Sequence, residues 1–174
     1  MTKNSTARPV RAPDPPAVKR FLAVDRLQMV GIPILAAVTL AGLFGAFDDT
    51  SARTEARGAP LAVHVEFPSR IQYEQSKRLL IEVRNESAHA VGEVAIAIDR
   101  RYLEGFQADT FLPEPDEITP EAYVVEVGAI QAGEVRRVAL DLSAKKVGRQ
   151  EGQVKVTTGG RPLAAIDLST FVFP

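Results

Sequence analysis

The sequence predicts an all-β domain, an antiparallel β-sandwich, preceded by one transmembrane α-helix, and three observations carry that expectation. Residues 27–47 contain no ionisable side chain. From residue 61 onward the apolar residues recur with period two, as strands with one buried face require. Glycine-bearing turn signals punctuate that alternation and no sustained helical pattern interrupts it.

Composition bounds the rest. The chain has 174 residues, 45% hydrophobic and 25% charged, the proportions of a protein with a packed core and room for one ordinary domain plus appendages. It has no cysteine and two histidines, His64 and His89, which excludes disulfides, thiol nucleophiles, iron–sulfur clusters and cysteine-based zinc sites. A net charge of −1, no tryptophan and 6% aromatic residues exclude a strongly basic nucleic-acid binder. Neither a cofactor nor a nucleic acid is expected.

Residues 1–16 are rich in Pro, Ser and Thr and poor in large apolar residues, so they are expected to be a disordered leader. Residues 17–47 form the juxtamembrane segment and the span. Up to residue 27, Val18, Phe21, Leu22 and Val24 alternate with Lys19, Arg20 and Arg26 at helical spacing, suited to lipid head groups. The run 27–47, LQMVGIPILAAVTLAGLFGAF, has Gln28 as its only strongly polar side chain. As a helix it would be about 30 Å long, the thickness of bilayer hydrocarbon. A buried core helix seldom runs this long without a polar face. A cleaved signal peptide is disfavoured by the charged leader and by bulky Phe44 before Gly45-Ala46. Pro33 falls near the entrance, where a lost backbone hydrogen bond is best tolerated. Ala37, Ala41 and Gly45 recur every fourth residue, either a stripe for close helix packing or the ordinary abundance of small residues in membrane helices.

Residues 1–26 carry a net charge of +4 and the remainder −5, with Asp48 and Asp49 first after the run. The positive-inside rule then puts the amino terminus in the cytoplasm and the carboxyl-terminal domain in the periplasm or otherwise outside a bacterial inner membrane. Residues 48–60 read as a polar linker, and 61–174 as the extracytoplasmic sandwich. Strands are expected at 61–67, with Leu61, Val63, Val65 and Phe67 inward, at 78–84, with Leu79, Ile81 and Val83 inward, and at 91–99, with Val94, Ile96 and Ile98 inward. Four more are expected at 123–130, 134–142, 153–158 and 163–173, separated by turns at Gly133, Gly148 and Gly159-Gly160.

The run Val127-Gly128-Ala129-Ile130-Gln131-Ala132-Gly133-Glu134, with Val138, Leu140 and Leu142, Gly148 and Gln153-Val154-Lys155-Val156, resembles the later half of bacterial immunoglobulin-like modules of the cell-adhesion-related type. Ile81-Glu82-Val83-Arg84-Asn85-Glu86-Ser87 resembles their first half, where an asparagine closes a hairpin. The resemblance spans residues 61–158 and implies an immunoglobulin-like fold and a binding or spacer unit with no active site to carry over. The excursion between Asp99 and Tyr123 exceeds a plain hairpin.

That excursion is the most informative stretch for function. No Lys or Arg stands between Arg101 and Arg136, while Glu104, Asp109, Glu114, Asp116, Glu117 and Glu121 gather six carboxylates. Pro113, Pro115 and Pro120 stiffen the segment, and Tyr102, Leu103, Phe106, Phe111 and Leu112 are its expected apolar anchors. Three readings stay open: docking on a basic partner surface, shielding of a sheet edge, and calcium binding, whose spacing does not match the D-x-[DN]-x-[DN]-G loop. Adjacent Asp116 and Glu117 point to opposite faces of an extended chain and cannot serve as a glycosidase pair. His64 and His89, at unrelated positions, read as surface histidines; no G-x-S-x-G occurs, and Gly159-Gly160 lacks the Lys-Ser/Thr of a phosphate loop. No enzymatic activity is expected. The sequence points to a membrane-anchored accessory, assembly or scaffolding subunit whose partners are the bilayer and a protein, the alternative being an anchored module for a small ligand, glycan or calcium.

Overall fold

The structure, a computed structural model, describes residues 26–43 and 50–174, which divide into two units after Leu40. The leader 1–16, the juxtamembrane segment up to residue 25, and Gly45 lie outside the described residues. Helix α1 (Arg26–Leu43) covers 18 residues, with Pro33 inside it. Its apolar side chains Val30, Ile32, Ile34, Leu35, Val38, Leu40 and Leu43 are all exposed. Among the described residues no helix is long and apolar enough to cross a membrane. The uncharged run continues past α1 through residues 44–47, outside the described residues.

The second unit is built from ten strands and one short helix: β1 (Thr50–Gly58), β2 (Leu61–Gln72), β3 (Ser76–Asn85), β4 (Val91–Asp99), α2 (Arg100–Leu103), β5 (Phe106–Leu112), β6 (Glu117–Ile118), β7 (Ala122–Ile130), β8 (Val135–Ala144), β9 (Gly148–Thr158) and β10 (Arg161–Phe173). Hydrogen bonding follows the order β5-β8-β3-β2-β10-β9-β4-β7-β6, with β1 added on β2. The path changes layer between β2 and β10, joined only by three parallel pairs, Arg70, Ile71 and Gln72 with Phe171, Val172 and Phe173. Upstream of that junction β2 pairs antiparallel with β3 through Glu66. Pro68, which has no N–H for a ladder, sits where β2 exchanges one partner for the other.

Both layers feed one core. Leu61, Val63, Val65, Phe67, Leu79, Ile81, Val83, Val138, Leu140 and Leu142 enter from one side, and Val94, Ile96, Ile98, Val125, Val154, Val156, Ile166 and Leu168 from the other. All ten residues expected inward on the first three strands are buried, while His64, between Val63 and Val65, is exposed. The layers β2-β3-β8-β5 and β10-β9-β4-β7 reproduce the A-B-E-D and G-F-C-C′ arrangement of an immunoglobulin-like sandwich, so the resemblance holds for the architecture. One departure is topological. The chain visits β5, at the D position, before β7, at the C′ position, and therefore crosses between layers twice within the excursion.

Two expectations are corrected. The segment 48–60, expected as a linker, contains strand β1, antiparallel to β2 in the register Gly58↔Leu61 to Thr54↔Val65 and beyond. Its inward positions, Ala52 and Ala56, pack against the core with side chains too small to announce a strand. A Cβ on Gly58 would lie 2.2 Å from the Leu163 carbonyl oxygen, so this edge closes on β10 only because residue 58 is glycine. Asn85 closes an arch rather than a hairpin, because β3 and β4 belong to different layers. Fully buried, it donates from Nδ2 to the carbonyls of His89 (2.7 Å) and Ile130 (2.9 Å) and accepts at Oδ1 from Ser87 N–H (2.9 Å) and Ser87 Oγ (2.8 Å). Its main-chain N–H donates to Glu134 O (3.0 Å) and its carbonyl accepts from Gly133 N–H (2.9 Å). A single amide side chain thus ties the β3–β4 arch to the β7–β8 turn, where Gly133 has φ 73°.

Candidate functional site

The acidic excursion is not one loop. It opens with α2, whose N-cap Asp99 accepts from Arg101 N–H at 2.8 Å. Tyr102 and Leu103 enter the core, and the Tyr102 ring meets Phe106 with centroids 5.1 Å apart. A Cβ on Gly152 would fall 2.6 Å from the Tyr102 Cβ, so the absent side chain on β9 makes room for this anchor. The Tyr102 hydroxyl lies 2.8 Å from Thr170 Oγ1, and Thr170 donates to the Pro68 carbonyl at the strand junction. That carbonyl can only accept, which uses the single hydroxyl hydrogen of Thr170 and makes Tyr102 the donor to it. Burial, which disfavours the phenolate, pushes the Tyr102 phenol up from 10.0 to about 12.

Of the five expected apolar anchors, Tyr102, Leu103 and Phe106 are buried, and Phe111 packs on the core and stacks on Tyr123 with centroids 5.3 Å apart. Leu112 remains 57% exposed.

The six carboxylates fall in three places. Asp109, at the register shift of β5, accepts from Ser143 Oγ on β8 and so lies at the first layer's edge. Glu114, Asp116 and Glu117 occupy the passage from β5 into β6, where Asp116 Oδ2 accepts from Glu126 N–H at 2.7 Å. Glu104 and Glu121 face a half-open concavity of about 460 Å³ with Asp99, Arg101, Lys155 and Gln153 around Ala97, Ala122 and Pro120. Among the described residues, no ion pair joins the two cations of this concavity to its three carboxylates. The segment is both an edge and a carrier of charge: β5 completes one layer against β8 and β6 the other against β7.

Among the described residues no group of three or more His, Asp and Glu side chains could hold a metal ion. His64 lies 3.9 Å from Glu55 on the outer face of the first layer, and His89 lies in the β3–β4 arch. Of the proposed packing stripe, Ala37 and Ala41 fall in α1. Sequence reasoning missed the polar contacts of Tyr102, Thr170 and Asn85 that fix these elements. Only the asparagine before a turn carried a signal.

No protein-family model matches the chain, and no curated protein matches it. Solved structures show distant likeness. A cohesin module of a Clostridium perfringens family 33 glycoside hydrolase aligns with 71% of this chain and 98% of its own at 11% identity and a TM-score of 0.45. A CARDB domain from Pyrococcus furiosus, in complex with di-metal ions, aligns over the same shares at 10% identity and a TM-score of 0.42. A Listeria innocua beta-glucosidase aligns with 73% of this chain but 16% of its own, at 15% identity and a TM-score of 0.37. At such values the likenesses transfer neither a site nor an activity, and the fold stands on its own strand order.

Proposed function

We propose that this chain is a single-pass, membrane-anchored accessory, assembly or scaffolding subunit with no catalytic step of its own. Its extracytoplasmic immunoglobulin-like domain engages a protein partner in an envelope complex. The observation that carries the reading is the run of uncharged residues 27–47: its described part lies in helix α1, where Val30, Ile32, Ile34, Leu35, Val38, Leu40 and Leu43 are exposed on all sides of the helix, a surface suited to lipid or other helices rather than water. The charge step from +4 before the run to −5 after it supports an inner-membrane location with the amino terminus in the cytoplasm. The acidic passage Glu114, Asp116 and Glu117, held to β7 through Asp116 and the β6 ladder, supports docking on a basic partner.

Alkaline carbonate extraction and protease treatment of cells with a permeabilised outer layer test the anchor. Retention in the membrane with digestion after Asp48 is expected; release, or protection of the domain, overturns it. Purification in mild detergent should recover a stoichiometric partner. Replacing Glu114, Asp116 and Glu117 by Gln, Asn and Gln should slow association and flatten its salt dependence, because rim charges act by steering over about 8 Å. The amide oxygen introduced by Asp116→Asn would still offer an acceptor to Glu126 N–H, so the fold should survive.

The concavity beside Glu104 favours a second reading, a site for a small ligand bearing both charges, since Arg101 and Lys155 stand there against Asp99, Glu104 and Glu121. Arg101→Gln with Lys155→Gln would then abolish ligand-induced stabilisation and leave partner recovery unchanged.

A further inference from the structure

At one end of the sandwich, three segments far apart in sequence meet. Phe171 on β10 is in register with Arg70 on β2 and with Arg149 on β9. Tyr73 N–H, in the β2–β3 turn, donates to Phe173 O at 2.8 Å, and Glu74 N–H donates to Ala144 O at 2.9 Å, which joins the turn to the start of the β8–β9 loop. That loop, Lys145-Lys146-Val147, is held at its backbone: Lys145 and Lys146 N–H both donate to Gly105 O, and the buried Gln150 side chain donates to Lys146 O at 3.1 Å. Its side chains are left outside. Phe171 is 44%, Tyr73 42% and Val147 48% exposed, and Phe171 packs edge-on to Phe173 at 4.8 Å.

We infer that this end, formed by Tyr73, Phe171, Val147, Lys145, Lys146 and Arg149, seats on an anionic lipid surface. The inference rests on the membrane-anchor reading. Aromatic rings and a valine among lysines and arginine form the mixture that settles at head-group depth, rings and aliphatic stems inward and charges at phosphate level. The charge is local. Residues 50–174 hold fifteen Lys/Arg and eighteen Asp/Glu, so the domain as a whole is repelled by an anionic surface and only a basic end can approach it. Nearby acidic groups are Glu74, Glu104, next to the Gly105 carbonyl that holds the lysine loop, and Glu151, the last paired with Arg149 at 2.7 Å, an exposed pair that contributes little. β1 opens beside the same end, with Thr50 in register with Arg70, and six residues in sequence separate Thr50 from Leu43 of α1. Asp48 and Asp49, among those six, lie outside the described residues.

The chain contains no tryptophan, so one introduced tryptophan is a unique emitter. Full-length chain carrying Phe171→Trp, Tyr73→Trp or, as a control on the outer face at the far end of β8, Val135→Trp is reconstituted in phosphatidylcholine vesicles with or without phosphatidylglycerol. With phosphatidylglycerol, emission from the first two should shift to shorter wavelength and be quenched by brominated lipid, and emission from the third should not. Lys145→Gln, Lys146→Gln and Arg149→Gln in the Phe171→Trp chain should lower the docked fraction about fivefold per charge, with flotation on the vesicles unchanged. Flotation with Phe171 and Tyr73 positions as insensitive to brominated lipid as Val135 overturns this inference and leaves the anchor standing. Shielding of those positions by an added protein partner, with no effect of brominated lipid, assigns the end to that protein and overturns it equally. A chain that fails to float overturns the anchor and this inference with it.

Discussion

The hydroxyl chain from Tyr102 through Thr170 to the Pro68 carbonyl makes an ordered set of stabilities. All its members are in the core, with Tyr102 and Thr170 at 0% exposure, so water does not substitute for a lost partner. Tyr102→Phe removes a donor and leaves Thr170 still bonded to Pro68, at a cost of about 1 kcal/mol. Thr170→Val strips the Tyr102 hydroxyl of its acceptor and takes a donor from the carbonyl, and should cost about 2–4 kcal/mol. The double variant should cost less than the sum, because no stranded hydroxyl remains. Equilibrium urea unfolding of the full chain in detergent, followed by circular dichroism, measures all four corners. A second measurement uses pH. Burial raises the folded-state Tyr102 pKa from 10.0 to about 12, so the native state keeps the proton after the unfolded chain has released it. The associated stabilisation, on the order of 2–3 kcal/mol, is present below pH 10 and is lost as pH rises from about 10 to about 12. The wild-type stability minus that of Tyr102→Phe should therefore fall across that window. A Tyr102→Phe cost equal to or above that of Thr170→Val, or strict additivity, refutes the assigned direction of the hydrogen bonds.

Three other perturbations follow from the same geometry. Gly152→Ala places a Cβ 2.6 Å from the Tyr102 Cβ and 3.3 Å from its Cα, atoms fixed to α2 that cannot swing aside, and should cost about 1–3 kcal/mol in the same unfolding assay. Asn85→Ala leaves the Ile130 carbonyl without its side-chain donor and the His89 carbonyl with Ser87 Oγ alone, and should cost about 1–3 kcal/mol, with amide exchange accelerated first in the β3–β4 arch and the β7–β8 turn. Hydrogen bonds from Arg78, at 2.8 and 3.2 Å, hold the Asp141 carboxyl below the usual carboxylate range, so Arg78→Gln should raise its midpoint in a carboxyl NMR titration. The contribution of that pair is present above the ordinary Asp value and lost as pH falls, but both groups are at the surface, and unfolding midpoints should barely respond.

The seven strands read from alternation are all present because their inward positions carry Leu, Ile, Val or Phe, and period two is then visible directly. Where the physical cause of a strand lay elsewhere, the pattern was silent. On its inner face β1 brings only the apolar side chains of Ala52 and Ala56 against the core, and it is held by its ladder to β2 rather than by apolar bulk. In β5 a register shift between Ala108 and Thr110 breaks the parity, so Phe111 turns towards Tyr123 and the alternation reads as irregular loop. α2 is a single turn, too short to display a helical period, and its one legible mark was Asp99 at the N-cap.

Site chemistry was legible only where sequence neighbours are also spatial neighbours. Six carboxylates within eighteen residues read as one acidic patch, yet the chain passes from one layer to the other between Leu112 and Glu117, which leaves Asp109 in a different edge from Glu117. The aromatic and basic end shows the converse. Tyr73, the Lys145-Lys146-Val147 loop and Phe171 are anonymous in sequence, separated by about seventy and twenty-five residues, and none belongs to a motif. They meet because β10 pairs with β9 on one side and, through only three residues, with β2 on the other. That short parallel seam depends on Pro68 ending the pairing with β3, and on Thr170 and Tyr102 supplying the polar contacts inside the turn of the strand. A substitution that loosens Tyr102 should therefore disturb the exposed end as well as the core, and the emission of Phe171→Trp in the presence of Tyr102→Phe would report the coupling.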